Sequence, residues 1–421
     1  MTPTPAQVQP LLHALEQVLR FEQPADRVLR QFFRDHPRLG QRDRAVVAET
    51  VFGIVRRLIW LRWLAAGESR PGRLLALALN RLHGLSGRAL EGLLRNEDCA
   101  WLQSLPRPTC EPPPAVAADL PDWAWERLQS ELGEEAALTF GRAMQHPAPL
   151  DLRINPERLR RDAILERLNN DGIEAVATRY SPLGIRLAGK PALQQHPLFA
   201  DGSIEVQDEG SQLLGLLVGA RRGERVADLC AGAGGKTLLL AGQMRGTGQV
   251  YAFDVAERRL AQLTPRLKRA GLSNVQPQRI SDVDDARLQR LAGKFDRVLV
   301  DAPCTGFGTL RRNPDLRFRQ SPEPLAELVA KQARILAAAA TLVRPGGVLV
   351  YGTCSPFAEE NGKQIEAFLA AHAQFSVDPA GPALAAAGVT GLDTTTDCLK
   401  LAPDTHATDG FFGARLLRAT T

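Results

Sequence analysis

Apolar residues along this chain change their period twice, and the changes divide it into three stretches. Up to about residue 143 the spacing is helical. In RAVVAETVFGIVRRLIWLRWLAAG, Val47, Val51, Val55 and Leu58 recur on one helical face and Gly67 closes the pattern. Trp123–Arg142 also has helical composition. Between them LPRPTCEPPPAVAADLPDW is too rich in proline to continue a helix, and reads as a linker or long surface loop. From Pro149 the period shortens: LDLRIN reads as a strand, Pro156–Asn169 as a helix that Gly172 stops, and IEAVATRY and GIRLAG as two strands about a Ser-Pro-Leu turn. This βαββ unit, residues 144–203, is too small to stand alone and needs a neighbour.

From Ile204 to the end of the chain, short apolar runs alternate with helical segments. Val226–Leu229, QVYAFDV, NVQPQRI, DRVLVDAP, GGVLVYGTC and FFGARLLRA form the series. Such alternation predicts an α/β fold over residues 204–421, with a doubly wound, mostly parallel sheet whose ligands sit at the carboxyl ends of the strands. The polar residues at those ends are Asp254, Asp282, Asp301, Cys304 and Cys354.

Composition narrows the picture. A hydrophobic content of 44% over 421 residues supplies ample buried cores. No run of 18 apolar residues and no signal-peptide pattern occurs, so the expectation is a cytoplasmic protein with no membrane partner. Six cysteines without a C-x-x-C or zinc spacing predict neither a disulfide framework nor a metal site; any cysteine that matters here matters as a thiol. Residues 1–100 carry 15 Arg against 10 Asp or Glu, which is the whole of the net +5. That excess suits a polyanion such as RNA or DNA, although only 7 of the 52 basic residues are Lys and an Arg-rich composition alone would give it. Arg56, Arg57 and Arg62 interleave with Trp60 and Trp63, either as an RNA-contacting face or as core aromatics beside solvated charges. Arg153 and Asn155, at a strand end, are open to the same two readings.

Chemistry concentrates around RVADLCAGAGGKT, Arg225–Thr237. A strand, a Gly-rich turn and a helix N-terminus offer close backbone approach and unpaired N–H donors. A phosphate-cradling loop of the GxxxxGK type would need Gly where Cys230 stands. A dinucleotide fingerprint fits Gly232 and Gly234 but finds Thr237 at its third glycine. A turn carrying S-adenosylmethionine remains, as does an ordinary βα connection. Asp254, 19 residues after Gly235, suits ribose hydroxyls or a helix N-cap. Asp282 suits an adenine amino group, with Asp284 and Asp285 as neighbours that could replace it. DAPC then puts a carboxylate and a thiol at one strand end, and TCS a second thiol at the next.

These residues resemble the RNA cytosine-5 methyltransferases of the Nop2/NSUN/Sun family. DAPC with TCS about fifty residues later, DLCAGAGGKT, RRNPD, the ENG after TCSP and TDGFFGARL all match that family's motifs, over roughly residues 145–421. The helices of residues 1–143 resemble the NusB-like RNA-binding domain of its bacterial 16S ribosomal RNA members. One departure is Ala233, where the family has Pro. The resemblance implies a class I methyltransferase fold with a seven-stranded sheet, and S-adenosylmethionine without a metal as cofactor. It implies small-subunit ribosomal RNA as substrate, with transfer RNA or a non-catalytic assembly role as the alternatives, and a monomer is expected. It places the cofactor against Cys230, Ala231, Gly232, Ala233, Gly234, Gly235, Lys236, Asp254, Arg259, Asp282 and Asp301. It assigns nucleophilic attack on carbon 6 to Cys354, elimination to Cys304 and the base edge to Asp301. Lys236, Arg311 and Arg312 are candidates to favour the thiolate or to bind phosphate.

Overall fold

Helices in the N-terminal stretch form where apolar residues recur every three or four positions, and three of them start on proline, whose missing N–H is no loss in a first turn. Pro5–Val18, Ala25–Asp35, Gln41–Arg56, Leu58–Leu64, Pro71–Arg81 and Asn96–Ser104 lead to Asp122–Leu132 and Glu134–Ala143. Leu11, Leu15, Phe32, Val51, Ile54, Leu58, Leu61 and Leu74–Leu79 are buried in the core of this unit. The helical pattern over Trp123–Arg142 is broken into two helices at Gly133, whose φ of 83° lies in the left-handed region. Within the Pro-rich stretch, residues 108–113 form a loop without helix or strand, exposed over 108–111, but the residues after it are packed. Pro114–Ala117 makes a short helix that begins on proline, and Ala115, Ala118 and Leu120 are buried.

The computed structural model describes residues 2–106 and 108–420, which fall into two compact units. The first joins residues 1–147 to a later segment, Thr309–Pro322. Arg317 of that segment is fully buried and donates to the Arg56 and Asp119 carbonyls at 2.8 and 2.7 Å. Asp315 accepts from Ala25 N at 3.2 Å, and Phe318 stacks on Phe21 with centroids 4.6 Å apart. Arg56 is buried and Arg57 pairs with buried Asp119 at 2.9 Å while lying over Trp60, so this basic and aromatic stretch belongs to internal packing.

The second unit, residues 148–308 and 323–421, holds two sheets. Strands β1 (Leu150–Ile154), β2 (Ala175–Ala177), β3 (Gly184–Leu187) and β4 (Ile204–Val206) form an antiparallel sheet in the order β2-β3-β1-β4. Its apolar face, with Leu152, Ile154, Ile185 and Ile204, packs against Ile164 and Leu168 of helix Arg161–Asn170. β4 lies beyond the expected boundary at residue 203, yet Ile204 pairs with Ile154.

The larger sheet is built from β5 (Arg225–Asp228), β6 (Gln249–Asp254), β7 (Val275–Arg279), β8 (Phe295–Asp301), β9 (Val343–Thr353), β10 (Phe375–Val377), β11 (Cys398–Leu401) and β12 (Phe411–Arg418). Its order is β10-β12-β9-β8-β5-β6-β7, with β11 also on β12. β5 to β9 pair in parallel, whereas β10, β11 and β12 are antiparallel. Among the described residues the strands therefore number eight rather than seven. β10 and β11, of three and four residues, are too short to register as a period. β7 carries Pro277, which an edge strand tolerates, and β7 is the edge. No helix among the described residues is long and apolar enough to cross a membrane.

Candidate active site

β5 ends at Asp228, and the chain turns through Leu229–Gly234 into helix Gly235–Gln243. Gly232 and Gly234 have φ of 56° and 84°, conformations that disfavour a side chain, and a Cβ on Gly234 would also run into Leu263. Over Gly232 there is open space. The helix has no side-chain cap, so its first N–H groups face the turn unclaimed by one. Asp254, at the end of β6, accepts from Gly232 N and Ala256 N, both at 2.7 Å. Each carboxylate oxygen keeps a further lone pair. Beneath the turn, Asp228 takes the Thr237 hydroxyl at 2.7 Å on one oxygen, while its other oxygen is buried without a partner. Open space over Gly232, a fixed carboxylate and an orphaned buried oxygen fit a polar nucleoside such as S-adenosylmethionine.

Of the remaining residues predicted for the cofactor, Cys230, Ala231 and Ala233 belong to this turn, while Arg259 and Asp282 follow β6 and β7. Cys230 is half-buried, and burial together with the Asp228, Asp301 and Asp254 carboxylates pushes its thiol up. Ala231 is buried and donates its N–H to the Phe253 carbonyl, which ties the turn to β6. Ala233, the departure from the family pattern, keeps its carbonyl bonded to Arg266 Nη1 at 2.5 Å. Arg259 lies exposed on the one-turn helix Glu257–Leu260 behind Asp254. After β7, Asp285 is taken up in capping helix Ala286–Arg290 and in bonding Ser281, and Asp284 pairs with Arg334 at 2.9 Å. Asp282 is exposed and accepts from Asp284 N.

β8 and β9 bring two thiols together, and an ion pair lies at the end of β8. Asp301, the last residue of β8, holds the Lys236 ammonium at 2.7 Å. Burial works against the lysine charge, but Asp301, Cys354 and Asp228 outweigh it and raise its pKa. Cys304 and Cys354 are both free thiols with their Sγ atoms 3.4 Å apart, a hydrogen-bonding distance well beyond a covalent bond of about 2.05 Å. The hydrogen bond to Cys354, burial, and the charges of Cys354 and Glu360 raise the Cys304 thiol well above its ordinary range. Gly308 N donates to the Cys354 carbonyl at 2.9 Å, and Gly410 N to the Gly308 carbonyl at 2.8 Å. A Cβ on Gly308 would strike Gly410, so the TDG sequence supplies the backbone that closes this corner.

Four other candidates are engaged in the protein's own structure or lie in its other unit. Arg311 and Arg312 belong to the helical unit, and buried Arg311 accepts on its carbonyl from Arg56. Arg153 does not face RNA: it is 5% exposed and donates to Gln207 Oε1 at 2.6 Å and to the Gly235 carbonyl at 2.7 Å. Asn155 bonds the Ala270 carbonyl at 3.1 Å. Sequence reasoning did not single out Asp228, Arg266 or Glu360. Among the described residues no group of His, Cys, Asp and Glu is arranged to hold a metal ion.

A mixed sheet of five parallel strands with an inverted edge, a glycine turn after β5 and a carboxylate closing β6 define the class I α/β methyltransferase fold. Residues 216–417 match the family described as 16S rRNA methyltransferase RsmB/F, and residues 120–194 match the ferredoxin-like domain of RsmF/B-like methyltransferases. The ribosomal RNA small subunit methyltransferase B of Klebsiella pneumoniae is 31% identical over 439 residues, 96% of each chain. The probable enzyme of the same name from Synechocystis is 36% identical over 303 residues, 71% of this chain and 67% of that one. The chain belongs to the RsmB/F methyltransferase family. Among solved structures, PH0851 superposes over 99% of both chains with a TM-score of 0.78 and 28% identity. NSun6 from Pyrococcus horikoshii, solved with SFG, shares the fold over 72% of this chain and 98% of its own, with a TM-score of 0.62 and 19% identity.

Proposed function

We propose that this protein methylates carbon 5 of a cytosine in small-subunit ribosomal RNA, using S-adenosylmethionine and a covalent adduct between Cys354 and carbon 6. The observation that carries the reading is the pair of free thiols, 3.4 Å apart at neighbouring strand ends, beside the Asp301–Lys236 ion pair. Carbon 5 of cytosine is a poor nucleophile, and thiolate addition to carbon 6 converts the ring into an enamine-like one. S-adenosylmethionine supplies the electrophilic methyl group when bound. The Cys230–Lys236 turn, Asp254, Asp282 and Arg259 are the residues that would hold it. The target base must leave its stack to reach the crevice, which is easiest in single-stranded or loop RNA. The basic helical unit, read as NusB-like, would supply RNA contacts.

Within this reading Asp301 accepts from the N4 amino group and from a protonated N3, drawing electrons from the ring as Cys354 attacks. Lys236, whose charge interacts with both Asp301 and Cys354, keeps that charge despite its burial. Cys304 carries a proton at this stage, because the neighbouring sulfur charge, burial and Glu360 disfavour its ionisation. Once Cys354 is bonded to carbon 6 its charge no longer opposes ionisation of Cys304, while burial and Glu360 still do. Cys304 then loses its proton to solvent and takes the proton from carbon 5. The ring double bond re-forms and the bond between Cys354 and carbon 6 breaks.

Cys354→Ala is expected to abolish transfer of tritiated methyl groups to unmodified ribosomal RNA. Cys304→Ala is expected to methylate once and then remain attached to RNA on a denaturing gel. Full activity of Cys354→Ala would remove the nucleophile assignment. In cells lacking the gene, bisulfite sequencing should show one 5-methylcytosine lost from small-subunit RNA. An unchanged ribosomal map with a loss in transfer RNA would transfer the same chemistry to that substrate.

A further inference from the structure

Buried polar groups grip each of the two cysteines from both sides. Ahead of Cys304, the Pro303 carbonyl accepts from Gln332 Nε2 at 2.9 Å. Behind it, Thr305 donates its backbone N–H and its hydroxyl to the two oxygens of Glu360, at 2.9 and 2.6 Å. Ahead of Cys354, the Thr353 hydroxyl lies 2.5 Å from Asn361 Oδ1, and behind it Asn361 Nδ2 donates to the Ser355 carbonyl at 2.8 Å. The two halves meet where the Thr305 and Ser355 hydroxyls bond at 3.1 Å. Glu360 is common to most of this. Gln332 Nε2 also reaches its carboxylate at 2.9 Å, and its carbonyl accepts from the Tyr351 hydroxyl at 2.7 Å.

Glu360, Gln332, Thr305 and Thr353 are all 0% exposed. A carboxylate at that depth with three donors around it meets neither solvent nor a docked base, so its work is done through the groups it bonds. Those groups flank Cys304 directly. Cys354 has a separate support in Asn361, so loss of the Glu360 carboxylate loosens one thiol more than the other.

We propose that Glu360 is a positioning residue, which holds Pro303–Thr305 against Cys354–Ser355 and thereby sets the contact between the two thiols on which release of the methylated RNA depends. The last part of this statement rests on the roles given to the two cysteines above; the first part does not.

Two readouts separate the parts. The first needs no RNA. With diamide as oxidant, the two thiols give up two hydrogens and close a disulfide at a rate set by how well they meet. In Glu360→Gln, an amide N–H₂ replaces one acceptor and confronts the donors of Thr305 or Gln332, and closure should slow at least fivefold. Thr305→Val should slow it similarly and Thr305→Ser should restore it, which a general loss of packing would not do. Should Glu360→Gln fail to fold, the two Thr305 variants carry the test. The second readout compares the first turnover with the steady state. Methyl transfer in the first turnover should stay within about threefold of wild type, while steady-state turnover falls at least tenfold and a covalent RNA complex accumulates. Unchanged disulfide closure in Glu360→Gln and Thr305→Val overturns the positioning role. Slowed closure with no covalent RNA complex, even in Cys304→Ala, upholds the positioning role and overturns the assigned chemistry instead.

Discussion

Asp228 shows how one side chain can link the Gly-rich turn after β5 to pH. Burial pushes its carboxyl up to about 7; the Thr237 hydroxyl and Lys236 oppose the rise, and Asp301 and Asp254 add to it. In the unfolded chain the group returns to near 3.8. Between these values the folded protein keeps a proton that the unfolded chain has lost, so the contribution is complete below about pH 4 and disappears as pH rises through 7. A gap of about three pH units corresponds to on the order of 4 kcal/mol at most. Asp228→Asn, which cannot titrate, should lack that slope. Thermal unfolding of both proteins at steps between pH 4 and 8 checks this: relative to the variant, wild type should lose stability across the window. Parallel curves would mean that Asp228 is already ionised when folded at the low end.

At the scale of elements, the small antiparallel sheet and the Gly-rich turn after β5 are one device. Arg153 of β1 holds the Gly235 carbonyl at 2.7 Å. Arg266 holds the Ala233 carbonyl and, at 3.1 Å, the carboxylate of Glu205 on β4. Both ends of the turn's second half are thereby fixed from outside the main sheet. Replacing Arg153 with Met leaves the Gly235 carbonyl and Gln207 short of a charged donor. At about 1.5–3 kcal/mol for such a bond, S-adenosylmethionine should bind on the order of tenfold more weakly by calorimetric titration. An unchanged affinity would reduce the small sheet to a packing neighbour. The same elements show what a sequence can reveal. The parallel strands β5, β6, β8 and β9 were legible because both faces are buried and their apolar runs are continuous. The inversion of β12 was not, since an antiparallel and a parallel strand of the same composition differ only in what lies beside them. Asp301, Cys304 and Cys354 were legible as polar residues at strand ends. Arg153 had the same appearance, and only its partner 82 residues away shows it to be buried support. Glu360 was hidden for the same reason: a glutamate in the run SPFAEENG reads as surface until Thr305 is brought to it.

At the scale of the molecule, the chain passes from the catalytic unit into the helical one after Gly308 and returns at Glu323. The RRNPD sequence falls in this excursion, and its anchor is Arg317, a few residues further on. That guanidinium is fully buried, pulled down to about 10 by burial, and bonded to carbonyls of two different parts of the helical unit, Arg56 and Asp119. Asp119 keeps a second cation in Arg57 at 2.9 Å, so its charge is not orphaned when Arg317 is lost. Arg317→Met should therefore cost the helical unit on the order of 3 kcal/mol, the value of two charge-assisted bonds to buried acceptors, without abolishing its fold. Hydrogen exchange on the full chain reads the effect unit by unit. Amides of Gln41–Arg56 and Ala25–Asp35 should open about a hundredfold faster, the equivalent of that energy, while those of β5, β8 and β9 keep their protection. Faster exchange in the sheet as well would mean that the two units unfold as one, and that the excursion couples their stability rather than completing the helical core alone.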